Sequence, residues 1–378
     1  MKKFFALLLA VVMVLSLAAC GEKPAETEPD TTEPETTESE YSVAMVTDYG
    51  DITDQSFNQT TYEACKAFSE ANSLQFNYYK PASDSDEDRI TAIETAIDEG
   101  YNVIVMPGYA FANAIKATVG ENPDVTFISL DVGEGDFGDF QLPENAYSAV
   151  YQEELCGYMA GYAADKLGYK KLGFLGGMAV PAVVRYGYGF VQGADAAAAE
   201  LGLTDVECKY AYGNQFFGDA DITAAMDVWY NAGTEVVFAC GGGIFTSAAE
   251  AAAKVGGKVI GVDVDQAAII DGGYGEGMTV TSAMKGLAAT VDTLLGKVLD
   301  GSFQGGQIEN LGLVSDVPAE NYVQIAPSTQ FADSFTEADY AALVADMHAG
   351  KVTVSNDITV AAADNATVIA VADQGNIK

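Results

Sequence analysis

The chain has 378 residues, 49% of them hydrophobic, and carries 55 acidic against 18 basic side chains for a net charge of −37. A charge of that sign and size excludes nucleic acid and an anionic lipid face as partners. The length is enough for two domains, each with its own core.

Taken in order, Lys2-Lys3, the apolar run Phe4 to Leu17 and then Ala18-Ala19-Cys20-Gly21 read as a secretory signal peptide over residues 1–19. The run has 14 residues, too few to span a bilayer comfortably. Leu17-Ala18-Ala19-Cys20 resembles the lipobox of bacterial lipoproteins, which implies that Cys20 is lipidated and becomes the mature N-terminus. Loss of Lys2 and Lys3 with the leader takes the charge to near −39. Glu22 to Glu40 is Glu, Thr and Pro with almost nothing apolar, a composition that cannot order itself. Residues 20–40 are therefore expected to be a tether, reaching roughly 60 Å when extended. The expected location is the extracytoplasmic face of the cell membrane, held by lipid alone.

Next comes a polar loop, Val46 to Gln59, between a short β-forming run at Tyr41–Val46 and a helical pattern at Thr61–Ala71. The C-terminal end of a strand in an open α/β sheet is where ligands bind. The loop offers a carboxylate (Asp48), a flexible backbone (Gly50), an aromatic face (Phe57) and an amide (Asn58). As an ordinary turn, it would instead use Asp54 or Ser56 as N-cap and bury Phe57.

From there the chain repeats itself. Strand-like runs near Ser42, Gln75, Asn102 and Val125 are followed by a second set near Lys171, Val206, Glu235 and Lys258. The offsets are 33, 60 and 83 residues, then 35, 64 and 87. Helical patterns lie between them: Asp86–Glu99 and Phe111–Gly120, then Val183–Leu201, Ile222–Asn231 and Phe245–Gly256. Strands alternating with helices predict parallel sheets built from βαβ units, here in two similar domains. Each half ends its strands in Gly and Asp: Asp48, Gly108 and Asp131 in the first, Gly176-Gly177, Gly241-Gly242-Gly243 and Asp263 in the second. Convergence of these groups across a cleft would make one ligand site.

Further on, Asp271–Gly277 reads as a Gly-rich loop, Met278–Ala283 as a strand and Leu287–Leu299 as an amphipathic helix. Lys285, one of few basic residues, stands at that strand's end. It is placed to donate to a hydroxyl while balancing Asp48 and Asp263. Gln307–Val314 and Asn321–Ile325 look like short strands and Thr336–Ala349 like a surface helix. The tail from Lys351 has no predicted position. Domain bounds are expected at 41–145 with 286–303, and at 146–285 with 304–350.

The only His is His348, remote in sequence from every candidate loop. Neither HExxH, GxSxG nor GxxxxGK[ST] occurs, and neither Gly-rich stretch has dinucleotide spacing. Cys65, Cys156, Cys208 and Cys240 lack metal spacing and are expected as buried thiols. Absence of a nucleophile with a base favours binding over turnover, with no cofactor or metal.

Several of these segments together resemble the basic membrane protein family of lipoproteins, the nucleoside-binding proteins of ABC transporters. The first is Asp48-x-Gly50-x-x-x-Asp54-x-Ser56-Phe57-Asn58-Gln59. Then come Asn122-Pro123-Asp124-Val125 with Phe127–Asp131, Gly157-Tyr158-Met159-Ala160-Gly161, Gly173–Met178 and Gly189-Phe190-x-x-Gly193. Ile260-Gly261-Val262-Asp263-x-Asp265-Gln266 and Thr281-Ser282-x-x-Lys285 complete the set. The resemblance implies a type I periplasmic-binding-protein fold: two doubly wound α/β domains joined by three crossovers. It implies a purine nucleoside (inosine, guanosine or adenosine) as ligand, an ABC permease as partner and a monomer. By position, Phe57 and Phe217 would sandwich the base and Asn58 and Asp131 would read its edge. Asp48, Gly242, Asp263 and Lys285 would hold the ribose. Phe216 is the alternative to Phe217, chosen against by its distance to Asp219. A sugar in the same fold is the first alternative function, and an extracytoplasmic hydrolase of nucleosides or glycans the second.

Overall fold

The computed structural model describes residues 40–48 and 50–378. The expected signal peptide, Cys20 and all of the tether but Glu40 lie outside the described residues. The first half runs β1 (Ser42–Val46), α1 (Phe57–Ala71), β2 (Gln75–Tyr79), α2 (Asp86–Asp98), β3 (Val103–Pro107), α3 (Ala112–Thr118), β4 (Thr126–Leu130), α4 (Glu134–Phe137) and β5 (Ala146–Tyr151). The second runs α5 (Glu153–Lys166), β6 (Lys171–Gly176), α6 (Pro181–Leu201), β7 (Glu207–Tyr212), α7 (Ala220–Asn231), β8 (Val236–Cys240), α8 (Phe245–Val255), β9 (Lys258–Asp263), α9 (Ala267–Tyr274) and β10 (Thr279–Lys285). Then follow α10 (Leu287–Leu299), β11 (Gln307–Leu311), β12 (Val323–Ile325), α11 (Glu337–His348) and β13 (Ala370–Asn376).

Local chemistry marks the helix starts. Ser85 caps α2 by accepting from Asp88 N, and Asp86, Glu87 and Asp88 crowd its first turn, where the helix dipole favours negative charge. Pro181 opens α6 and Gly202, in the left-handed region, closes it. The strands β3 and β8 are buried along their whole length, as parallel strands covered on both faces must be.

Two sheets result. One has the order β11-β5-β4-β3-β1-β2 and the other β12-β10-β9-β8-β6-β7-β13. Within each, the five repeated strands follow the same doubly wound order, 2-1-3-4-5. Every pairing is parallel except β10 with β12. The predicted repeat is thus realised strand for strand. No helix among the described residues is long and apolar enough to cross a membrane.

The boundaries between the lobes differ from the expected ones. The strand β5 belongs to the first sheet, with Phe127 opposite Ala146, and β11 pairs with β5 in that same sheet. The first lobe therefore keeps residues to 151 and takes 287–311. Crossovers fall at Gln152, Gly286 and 312–322. They are laced together: Gln152 N donates to Leu311 O, Gly286 N to Tyr322 O and Tyr322 N to Gly312 O. Asp271–Gly277 is also not a loop throughout, since α9 extends to Tyr274. Asp271 holds that end by accepting from Gly277 N and Thr279 N, so two adjacent glycines remain helical.

The helices α5 and α6, which support the second lobe, approach at backbone contact. A Cβ on Gly157 would lie 2.2 Å from Tyr186 O, and on Gly161 2.0 Å from Phe190 O. On Gly189 it would lie 2.1 Å from Glu154 O, and on Gly193 2.0 Å from Tyr158 O. Four glycines at four-residue spacing let two helices meet where any side chain would hold them apart.

Candidate functional site

Each sheet reverses strand order between its first and third strands, and loops diverging from such a switch point open a crevice. In the first lobe Asp48 follows β1 and Gly108 follows β3. A Cβ on Gly108 would sit 2.9 Å from that of Asp48. In the second lobe Gly177 follows β6 and Gly241 follows β8, and a Cβ on Gly241 would sit 3.0 Å from the Gly177 backbone. The fourth strands end in Asp131 (φ 64°) and Asp263 (φ 65°), both in the left-handed region that side chains other than Gly rarely enter. Two carboxylates with matched strained backbones thus face each other from equivalent places in the repeat.

The start of α1 is fastened by Asp54. Its Oδ1 accepts from Ser56 N and Gln59 N, and its Oδ2 from Asn58 N and Asn58 Nδ2. Ser56, at the N-cap position, caps nothing with its side chain. Its hydroxyl instead donates across the cleft to Asp263 Oδ2 at 2.6 Å. Gln266 Nε2 likewise reaches Gln55 O at 3.1 Å. Phe57 is half-buried and lines the cleft. The buried Asn58 has its amide nitrogen committed to Asp54, while its Oδ1 has no hydrogen-bond partner.

Lys285 is buried at the centre. Its Nζ lies 2.6 Å from Asp131 Oδ2, 3.2 Å from Glu153 Oε1 and 3.8 Å from Asp263 Oδ1. It also stands 4.9 Å from the Phe57 ring centre, within cation–π reach. Burial opposes the ammonium charge, but the three carboxylates outweigh it and hold the pKa well above the usual lysine range. The sequence reading paired this lysine with Asp48 and Asp263. Its ion-pair partners are Asp131, Glu153 and Asp263, because β4 delivers Asp131 beside the end of β10. Burial pushes Asp131 up to about 6, although Lys285 pulls it down. Burial also raises Asp263, again opposed by Lys285. For Glu153 burial is outweighed by Arg185 and Lys285, and its pKa falls below the usual value. Arg185 Nε donates to Glu153 Oε2 at 2.7 Å. The chain's other arginine, Arg89, donates from Nε to Asp48 O at 2.9 Å and so pins the opposite loop.

Phe217 is 56% exposed and enters from the second lobe, bridged to Gly243. Its neighbour Phe216 is half-buried and lies over the Gly177 backbone, where a Cβ would come within 2.5 Å of the ring. Gly242 has φ 52°, and a Cβ there would meet Phe216 O at 3.0 Å.

All eight residues singled out from the sequence, Asp48, Phe57, Asn58, Asp131, Phe217, Gly242, Asp263 and Lys285, line one cleft of about 560 Å³. Gly108, expected among the converging strand ends, and Asp54, expected only as a helix cap, line it too, as do Tyr186 and Gln55, which were not singled out. Tyr186 OH stands 3.3 Å from Asp263 Oδ1. The Glu153–Arg185 pair behind the lysine was also missed. An acidic pair opening an otherwise apolar helix, and a lone Arg within an Ala- and Gly-rich one, were the available signals.

With this geometry in view, residues 41–334 match the Bmp family, described as ABC transporter substrate-binding protein PnrA-like. The chain is 31% identical over 291 residues to an ABC transporter nucleoside-binding protein, BmpA, of Lactococcus lactis subsp. cremoris, covering 71% of this chain and 78% of that one. It is 30% identical over 338 residues to a CD4+ T-cell-stimulating antigen of Listeria monocytogenes, covering 83% and 89%. Among solved structures, an ABC transporter solute-binding protein from Conexibacter woesei superposes with a TM-score of 0.64 at 21% identity, over 84% of this chain and 99% of that one. That likeness shows the fold, the two-domain periplasmic-binding-protein type.

Proposed function

The chain belongs to the Bmp family of PnrA-like ABC transporter substrate-binding proteins, which bind rather than transform their substrates, and from that premise we propose that it captures a purine nucleoside between its lobes and delivers it to an ABC importer. The observation that carries this reading is a pair of buried acceptors without partners, Asn58 Oδ1 and Asp131 Oδ1, in a cleft lined by Phe57 from one lobe and Phe217 from the other. An unpaired buried acceptor costs about 1–3 kcal/mol, which a ligand N–H or O–H would recover. Stacking of a base on an aromatic ring contributes roughly 1–3 kcal/mol per contact. Asp263 and Asp48 line the same cleft and in this reading accept from the ribose hydroxyls. The relative named for nucleoside binding supports the same class.

The electrostatics favour a nucleoside over a nucleotide. Asp48, Asp51, Asp54, Asp131 and Asp263 line the cleft against Lys80 and Lys285. A phosphate would meet more like charge than opposite charge. In this reading the protein is a monomer tethered through lipidated Cys20 on the extracytoplasmic face of the membrane.

The test is isothermal titration of the protein, unfolded and refolded to strip carried-over ligand, with inosine, guanosine, adenosine, cytidine, ribose and AMP. One-to-one purine nucleoside binding is expected, abolished in Phe57→Ala and Asp263→Ala, with AMP bound far more weakly. Binding of a sugar and of no nucleoside would overturn the ligand class and leave the fold untouched.

A further inference from the structure

Residues 351–378 lie beyond the family match, yet they are built into the second lobe. Ser355 and Gln192 exchange two hydrogen bonds, Ser355 N to Gln192 Oε1 and Gln192 Nε2 to Ser355 O. Tyr188 OH donates to Val360 O. Asp195 on α6 accepts from three successive backbone amides, Thr367, Val368 and Ile369. The chain then runs as β13 alongside β7, Ala370 opposite Glu207 through Asn376 opposite Tyr212. Trp229 Nε1 donates to Gln374 Oε1 at 3.0 Å, and Ile377 N to Tyr212 O at 2.8 Å.

Tyr212 is the last residue of β7, and the segment that follows, Gly213–Asp219, carries Phe217 into the cleft. At its far end Asp219 caps α7 through Oδ1, accepting from Asp221 N and Ile222 N. Its Oδ2 accepts from Gln215 Nε2 at 2.9 Å, and the same nitrogen donates to Phe217 O at 2.9 Å. Lys378 Nζ pairs with that Oδ2 and stands 3.5 Å from Asp221 Oδ2. One strand therefore touches both ends of the loop: its backbone holds the entrance at Tyr212, and Lys378 holds the exit at Asp219.

We propose that residues 370–378 act as a strap that positions the Phe217 loop, with Lys378 as a positioning residue acting through Asp219 and Gln215. Phe217 is exposed and has little packing of its own, so its location depends on what fixes the backbone around it. A strap on β7 removes the freedom of that backbone before ligand arrives, and a preorganised aromatic wall releases its ligand more slowly. The consequence for binding rests on the nucleoside reading above, and the consequence for the loop does not.

The experiment compares the wild type with Lys378→Met and Lys378→Arg. Hydrogen exchange of residues 213–218 in the ligand-free protein reads the loop, and stopped-flow dissociation of a purine nucleoside reads the site. Lys378→Met should speed exchange in that segment and raise the dissociation rate by about two- to five-fold, the range an exposed ion pair supports. Melting temperature should be unchanged, and Lys378→Arg should restore both values. Unchanged loop exchange in Lys378→Met, or no rescue by Arg, overturns the strap. If no nucleoside binds the wild type, the ligand reading fails while the exchange data still decide the strap.

Discussion

Lys285 shows how much of the site rests on one charge. It neutralises part of a buried group of Asp131, Glu153 and Asp263, with Arg185 behind Glu153. Removing one partner of a buried ion network costs about 3–5 kcal/mol, because the remaining charges stay desolvated. Lys285→Met should therefore destabilise the protein by about that amount at pH 8. The sign of the pH effect follows from the carboxylates. With a folded pKa above the unfolded value, a carboxylate contributes stability that is complete below the unfolded pKa and lost as pH rises through the folded one. Asp131, at about 6 even with the lysine present, rises further without it. The variant's deficit should be smallest near pH 4 and grow through pH 8, as denaturant titrations at the two ends would record. A deficit independent of pH would mean that the lysine contributes packing alone. At this scale the sequence showed the lysine and two of its three acids. Glu153 was hidden because its one local signal, an acidic pair opening a helix, is also the ordinary pattern of a solvated first turn.

Between residue and whole, the helices α5 and α6 set the alignment of the site. Glu153 and Glu154 open α5 and Tyr186 lies in α6, so the glycine contact between them fixes where these groups stand. Gly189→Ala would drive a Cβ into Glu154 O, beside the charge cluster, and Gly161→Ala into Phe190 O, farther along the pair. Overpacking costs about 1–3 kcal/mol or more where the obstacle is backbone on both sides. Both variants should lower the denaturant midpoint, and Gly189→Ala alone should also weaken ligand affinity, because its clash falls on Glu154, next to Glu153 in the charge cluster. Equal affinity loss in both would show that the helix pair acts on the site only through global stability. The alternation of strand and helix was legible because buried parallel strands and amphipathic helices leave strong periodic signals. The strand β5 and the helix α5 escaped, since both are buried and lack a polar face. The Gly-rich Asp271–Gly277 stretch misled because glycine marks a probable break, and here the Asp271 side chain supplies the bonds that hold the turn.

For the molecule as a whole, the lobes meet through few contacts across the cleft, and the crossovers gather in one place. Ser56–Asp263, Gln266–Gln55 and Lys285–Asp131 join residues far apart in sequence, from opposite lobes. The crossovers at Gln152, Gly286 and 312–322 hold one another by backbone hydrogen bonds and form a single hinge. The structure is thus a closed form whose closure is maintained by a handful of polar bonds over a 560 Å³ cavity. A cavity that size with unpartnered acceptors gives closure little to gain without ligand, whereas a ligand touching both lobes stabilises the closed form by its differential affinity. Small-angle scattering should therefore show a larger radius of gyration for the stripped protein than for the protein saturated with purine nucleoside. The bond from Ser56 to the Asp263 carboxylate exists only when the lobes are closed, and a bond to a charged acceptor is worth about 1.5–3 kcal/mol. Ser56→Ala should then weaken apparent affinity by at least about tenfold, chiefly through faster dissociation, since the encounter occurs with the open form. Identical scattering with and without ligand, together with unchanged affinity in Ser56→Ala, would mean that the lobes are closed at rest and that ligand enters by another route.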